Sequence, residues 1–172
     1  EKPQSLWMDE ALEMERAIAD AGVVATVGVQ RRYEPLSEAA HAFLRDRKPV
    51  MVTFAVDGTL ESHSLKHTRT GELGGPADQV WAKNRAWSGT TLVEAGIHQV
   101  DLMRFWFGDI DWVQAAYVSR DADDIEDGGD NPYAYTATFG FAGGGVGNLI
   151  MSRLRRTYHS DGYQIAMWDH GH

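Results

Sequence analysis

Glu94, His98 and Asp101 follow one another at spacings of four and three residues. Residues three and four apart share a face of a helix. A helix over residues 90–107 would therefore carry two carboxylates and an imidazole in one polar stripe, with Phe105 continuing it. Leu92, Val93, Val100, Met103 and Phe107 occupy the opposite side, so this helix is expected to be buried over most of its girth. Burying such a triad is costly unless its members are paired or used. A carboxylate next to a histidine holds its tautomer and raises its basicity, which suits general acid–base work. The spacing fits equally a solvent-facing strip with a capping carboxylate, and the residues alone leave both readings open. A metal is not expected. The stripe lacks the paired histidines of an H-E-x-x-H helix, and a further ligand would have to arrive from His63 or His67.

The elements that position this stripe are legible in part. Residues 5–21 carry helix signals, with Ser5 as a candidate N-cap, apolar Leu12, Ile18 and Ala19, and Gly22 as a stop. Val23–Val29 is a β-branched apolar run of the kind found in a strand buried on both faces. Pro35 suits the first turn of a helix running to about Lys48. Val50–Val56 reads as a second strand. Residues 57–88 have no sustained period, and Trp81, Trp87, His63, His67 and Arg69 fall there as possible pocket residues or plain loop. Gly108 closes the helix of the stripe. Trp112–Val118 alternates as a strand, and 133–141 and 146–153 form a hairpin across Ala142-Gly143-Gly144-Gly145. Tyr163–Met167 starts another strand. The acidic connector 121–130 lacks the alternation and terminal Glu of an EF-hand and reads as a solvated turn.

Composition narrows the function classes. The 172 residues carry a formal net charge of -9, which argues against a nucleic-acid partner. There is no cysteine, hence no disulfide, thiolate nucleophile or thiolate metal site. No apolar run is long enough to span a bilayer and no signal peptide is recognisable, so a cytoplasmic setting is expected. The sequence starts at Glu1-Lys2-Pro3, not at Met, and ends without a tail-like composition. It is read as a fragment of a longer protein. Gly143-Gly144-Gly145-Val146-Gly147 is no dinucleotide fingerprint, because it joins two strands, whereas G-x-G-x-x-G opens a helix after a strand. Lys2 precedes a proline, which restricts its backbone toward an extended form.

Taken in order, Glu1-Lys2-Pro3, Val27-Gly28-Val29-Gln30-Arg31-Arg32-Tyr33 and Ser88-Gly89-Thr90-Thr91-Leu92-Val93-Glu94-Ala95-Gly96-Ile97-His98-Gln99-Val100-Asp101 resemble the Gfo/Idh/MocA family of oxidoreductases. The family includes inositol, glucose and other sugar or polyol dehydrogenases. The resemblance implies an α/β (α+β) protein in two parts. Residues 1–31 would be the C-terminal remnant of a Rossmann domain. Residues 32–172 would be part of a C-terminal domain whose mostly antiparallel sheet, packed by helices, serves substrate binding and oligomerisation. It implies NAD or NADP as cofactor, with Glu1, Lys2 and Pro3 at the nicotinamide and a Lys-Pro bond that is often cis. Lys2 and His98 would be catalytic, with Glu94 orienting or polarising His98. Asp101 and Arg31 would bind a small sugar or polyol. Homo-oligomers would form through the sheet.

Two departures stand out. Glu94 is one methylene longer than the usual Asp, and the usual glycine pair before the motif reads Gly89-Thr90. The phosphate-binding glycine turn is not in the sequence, so the chain by itself is expected to hold NAD(P) poorly and to be inactive alone. Two rivals have the same motifs: a non-catalytic relative that binds a sugar-like ligand or a partner chain, and a lyase or glycosidase that retains NAD.

Overall fold

The computed structural model describes residues 2–59, 84–120, 130–155 and 161–169. Glu1, His63, His67, Arg69, Trp81 and all but Asp130 of the acidic connector lie outside the described residues.

Helix α1 spans Met8–Ala21 and ends at Gly22, whose φ of 63° is the left-handed conformation that a stop requires. Ser5 is not its N-cap. Trp7 holds that position, and the Ser5 hydroxyl accepts from the Trp7 N–H (3.1 Å) while donating to Glu10. No residue of α1 is buried. The expected strand at 23–29 does not form. A strand needs a neighbouring ladder to satisfy its N–H and C=O groups, and none of the described residues pairs with this run. It stays largely exposed, Val24 fully so. Together with Pro3, Met8, Leu12 and Ile18, residues 25–27 line a groove of about 570 Å³.

A 3-10 turn, Gln30–Tyr33, leads into α2, Pro35–Leu44, with proline in its first turn as expected. Both pack against the helix that carries His98. That region is two helices, not one: α4 (Thr91–Glu94) and α5 (Ile97–Phe107), preceded by the single turn α3 (Arg85–Ser88). The break lies at Ala95–Gly96. The Gly96 N–H reaches back five residues to the Thr91 carbonyl (3.1 Å), and the ladder resumes with Gln99 and Val100 on the Gly96 carbonyl. This wider turn fits glycine because a Cβ at position 96 would sit 2.4 Å from the Leu92 carbonyl oxygen.

Five strands make one sheet in the order β2-β3-β4-β1-β5. They are β1 (Pro49–Thr59), β2 (Ile110–Val118), β3 (Ala134–Phe141), β4 (Val146–Arg155) and β5 (Asp161–Trp168). β1 pairs in parallel with β4 and antiparallel with β5; β2–β3 and β3–β4 are antiparallel. The sheet is thus mostly antiparallel, and the hairpin falls where the alternation placed it. Its turn needs Gly144 (φ 89°) and Gly145 (φ 85°), conformations that side-chain-bearing residues rarely adopt.

Alternation divides the sheet into two faces. Val52, Phe54, Ala137, Phe139, Phe141 and Leu149 point to the helix side, where Leu102, Met103 and Phe107 of α5 complete the core with Leu44. Burying each large apolar side chain contributes roughly 1.5–3 kcal/mol. α5 is held from its other side by α2. The Trp106 indole N–H donates to the Ser37 carbonyl (3.1 Å), and the His41 ring stacks on Phe105 at 4.0 Å between centroids. The opposite sheet face is open. Trp112, Val146, Ile150, Tyr163 and Ile165 are exposed there.

Candidate active site around His98

The break before α5 decides the geometry. Glu94 is the last residue of α4, while His98 and Asp101 lie on the first turns of α5. The three are therefore not one stripe of one helix, although the tight joint keeps them together. Thr90, which replaces the second glycine of the family pattern, caps α4 by accepting from the Val93 N–H (3.2 Å).

Lys2 comes to this joint from far away in sequence, through a cis Lys2-Pro3 bond as the resemblance implied. Its ammonium donates to the Glu94 carbonyl (2.5 Å) and to Glu94 Oε1 (2.6 Å). The two side chains are only 17% and 12% exposed, so this pair is far better shielded than a surface ion pair. The Glu94 carboxylate spends its hydrogen bond on Lys2; among the described residues it makes none to His98.

The second pair was not foreseen. Arg32 Nε donates to Asp101 Oδ2 (2.6 Å) and Arg32 Nη2 to Oδ1 (2.5 Å), a bidentate fork on a carboxylate 11% exposed. The Arg32 guanidinium also lies over the Phe105 ring. Its own pKa is raised, chiefly by the hydrogen bonds to Asp101. Arg31, the arginine singled out from the sequence, faces a different part of α5. It approaches Glu34 at 3.5 Å, and with the Gln99 amide turned over so that its oxygen and nitrogen exchange places, it donates to the Gln99 side-chain oxygen (3.2 Å) while the Gln99 amide donates to the Ala95 carbonyl (3.0 Å). Adjacent residues of a 3-10 turn project about a third of a turn apart, so both arginines reach α5 at separate points. The sequence signal for Arg32 was its place in the Arg31-Arg32 pair, which spacing could not resolve.

His98 sits among these charges. Its pKa is pushed below the usual histidine value, first by burial, then by the positive charges of Lys2 and Arg31; Glu94 and Asp101 act the other way. Its Nδ1 is buried and has no hydrogen-bond partner among the described residues. The structure thus brings Lys2, Glu94, His98, Asp101 and Arg31 to one locality and adds Arg32. Pro3 turns instead toward the groove beside α1. Among the described residues there is no group of three or more metal-ligating side chains, and no helix is long and apolar enough to cross a membrane.

An imidazole biased toward its neutral form, with an ammonium nearby, can take a proton from a hydroxyl while the ammonium steadies the oxygen left behind.

No curated protein sequence matches the chain. Solved structures do match in fold. GenD2 from gentamicin A biosynthesis, solved with NAD, superposes with a TM-score of 0.77 at 22% identity, covering 99% of this chain and 44% of its own. The WlbA dehydrogenase from Bordetella pertussis, solved with NADH and UDP-GlcNAcA, gives 0.75 at 22% identity, covering 98% and 48%. A myo-inositol dehydrogenase from Corynebacterium glutamicum gives 0.71 at 19% identity, covering 99% and 46%. The chain spans less than half the length of each. The sequence model of the GFO/IDH/MocA C-terminal domain matches residues 55–167. That stretch is well over half of the chain, and it contains α5, His98 and all of the sheet but the first six residues of β1 and the last of β5; the chain belongs to the GFO/IDH/MocA family.

Proposed function

We propose that this chain carries the substrate side of a hydride-transfer site, in an NAD(P)-dependent oxidoreductase acting on a sugar or polyol CH–OH group. The observation that carries the reading is His98: a shielded imidazole held toward its neutral form, close enough to a lysine already fixed on Glu94 to feel its charge. In the oxidation direction the substrate O–H proton passes to His98. The carbon that bears this hydroxyl would lose its hydride to a nicotinamide bound there, which is the chemistry that group would supply. Lys2 has three N–H donors and spends two on Glu94. The third can meet the reacting oxygen and stabilise its developing negative charge. Glu94 thereby acts through Lys2, fixing the ammonium. Asp101 accepts two hydrogen bonds from Arg32, and its remaining lone pairs can accept substrate hydroxyls. Arg31 borders the same region.

Lys2 is the described residue that would meet the nicotinamide, because its ammonium already stands within hydrogen-bonding distance of the joint next to His98; Pro3 lines the groove beside α1 instead. The residues for the cofactor phosphates are another matter, since no glycine turn of the right context occurs in the 172 residues. The chain alone is therefore expected to bind NAD(H) more weakly than micromolar, measured by calorimetric titration. Micromolar binding would overturn the reading of the chain as an incomplete site.

The same reading makes the open sheet face an interface between copies. Trp112, Val146, Ile150, Tyr163 and Ile165 are exposed large hydrophobics on one face, the arrangement of an interaction surface rather than of scattered surface residues. Ile150→Asp is expected to shift the chain to a smaller mass in light scattering with its helical and strand content unchanged. An unchanged mass would remove the sheet face as the interface.

A further inference from the structure

We propose that Arg32 is a positioning residue of the histidine site: its guanidinium clamps both oxygens of Asp101, fixing that carboxylate close to His98 and supplying its counter-charge. The inference rests on the proposed acid–base role of His98 for its meaning, but its test does not.

The geometry is that of a built device. A bidentate Arg–carboxylate fork has two parallel bonds and so fixes the orientation of the carboxylate as well as its position. Here the fork closes at 2.6 and 2.5 Å, with Asp101 largely shielded from solvent. The arginine is itself braced, because its cation lies 5.3 Å from the centre of the Phe105 ring, and that ring is stacked on His41. His41 in turn bonds the Phe105 backbone carbonyl at 2.6 Å. Arg32 is thus held by two residues of α5, one of them braced from α2, and it holds Asp101 one turn along α5 from His98.

The electrostatic consequence follows from the groups that face His98. Lys2 approaches from the segment before α1, Arg31 from the 3-10 turn, Glu94 from the end of α4, and Asp101 from α5 itself, while Arg32 reaches the site through Asp101. Asp101 favours the protonated imidazole and Lys2 and Arg31 disfavour it. With Arg32 forked onto it, Asp101 is half of a neutral pair. Without Arg32, its charge acts on His98 unopposed. Without Asp101, the imidazole loses a charge that favours its protonated form.

The two single substitutions therefore shift His98 in opposite directions, which a merely structural role of Arg32 would not produce. The test is the NMR titration of the His98 ring protons in this chain, assigned by their loss in His98→Ala, with thermal melting to show that each variant is folded. Arg32→Gln is expected to raise the His98 pKa by about 1 unit, the lower end of the effect of a nearby opposite charge. Asp101→Asn is expected to lower it, and the double variant to return close to the starting value. Arg32→Lys keeps the charge without the fork and is expected to restore most of the shift. A His98 titration unmoved in folded Arg32→Gln, or moved in the same direction by both single variants, overturns the proposal. Should Arg32→Gln fail to fold, Arg32→Met, which keeps apolar packing over Phe105 without the charge, takes its place with the same expected rise and the same overturning result. Loss of the oxidoreductase reading, by normal turnover in His98→Ala, would leave this coupling intact, and the two failures are thereby separable.

Discussion

In a form of the protein that binds NAD(P), His98→Ala is expected to lower kcat by about a hundred- to ten-thousandfold, the usual worth of a positioned general base. Lys2→Ala is expected to cost a comparable factor, since one charged donor aimed at a developing oxyanion contributes on the same scale. The two differ in pH dependence. His98 must be neutral to accept a proton, so kcat/KM falls on the acid side as His98 protonates. Burial, Lys2 and Arg31 hold that protonation below the ordinary histidine value, and the acid limb is expected there. Lys2→Ala removes one of the depressing charges, so it should move the limb to higher pH while lowering the plateau. His98→Ala should abolish the limb. Rates like those of the unsubstituted enzyme in either variant would take that residue out of the mechanism.

The same depression links to stability. A histidine whose folded pKa lies below its unfolded value favours the native state fully above the unfolded pKa. That contribution is lost as pH falls through the unfolded pKa toward the folded one. A modest loss of stability on mild acidification that vanishes in His98→Ala is the corresponding signature.

How much of this was legible before the structure depends on which physical signal each element rests on. The β3–β4 hairpin was readable because alternation and a glycine-rich turn are both local. β1 was readable because Val50–Val56 is β-branched and is used by neighbours on both sides. Val23–Val29 has the same local signal and forms no strand, because β-branched residues declare a willingness to pair and say nothing about whether a ladder is present. Of the candidate residues, Lys2 and Glu94 do meet although separated by 92 positions, with His98 close enough to feel both charges. That long-range meeting came from the family motif order, since spacing has no access to it. The pairings lay beyond the reach of spacing where two chemically equal choices stood side by side. Nothing in Arg31-Arg32 says which guanidinium forks onto Asp101, and nothing in Glu94-x-x-x-His98 says that the carboxylate turns to a lysine.

The joint at Gly96 is where sequence reasoning and structure part most sharply, and it carries the largest expected effect on the fold. The apolar period runs through residues 90–107 without interruption, so a single helix is the natural reading. Periodicity reports which residues face the core and is insensitive to one widened turn. The structure puts the Gly96 N–H on the Thr91 carbonyl and leaves room for a hydrogen alone where a Cβ would otherwise stand. That Cβ would meet the Leu92 carbonyl oxygen at 2.4 Å and the Leu92 side chain at 2.9 Å. The first contact is with backbone, which cannot swing aside as a side chain can. Gly96→Ala is therefore expected to destabilise the chain by about 1–3 kcal/mol, the range for overpacking, in urea unfolding. This runs against helix propensity, by which alanine in a continuous helix would gain about 1 kcal/mol over glycine. The sign of the change thus decides between one helix and two. The relief available to the variant is to move α4 away from α5, which carries Glu94, and with it Lys2, away from His98. Gly96→Ala should then release the His98 pKa upward toward the ordinary value as the Lys2 charge recedes. A stabilised variant with an unmoved His98 would mean that the helix is continuous and that the stripe read from spacing was the true arrangement.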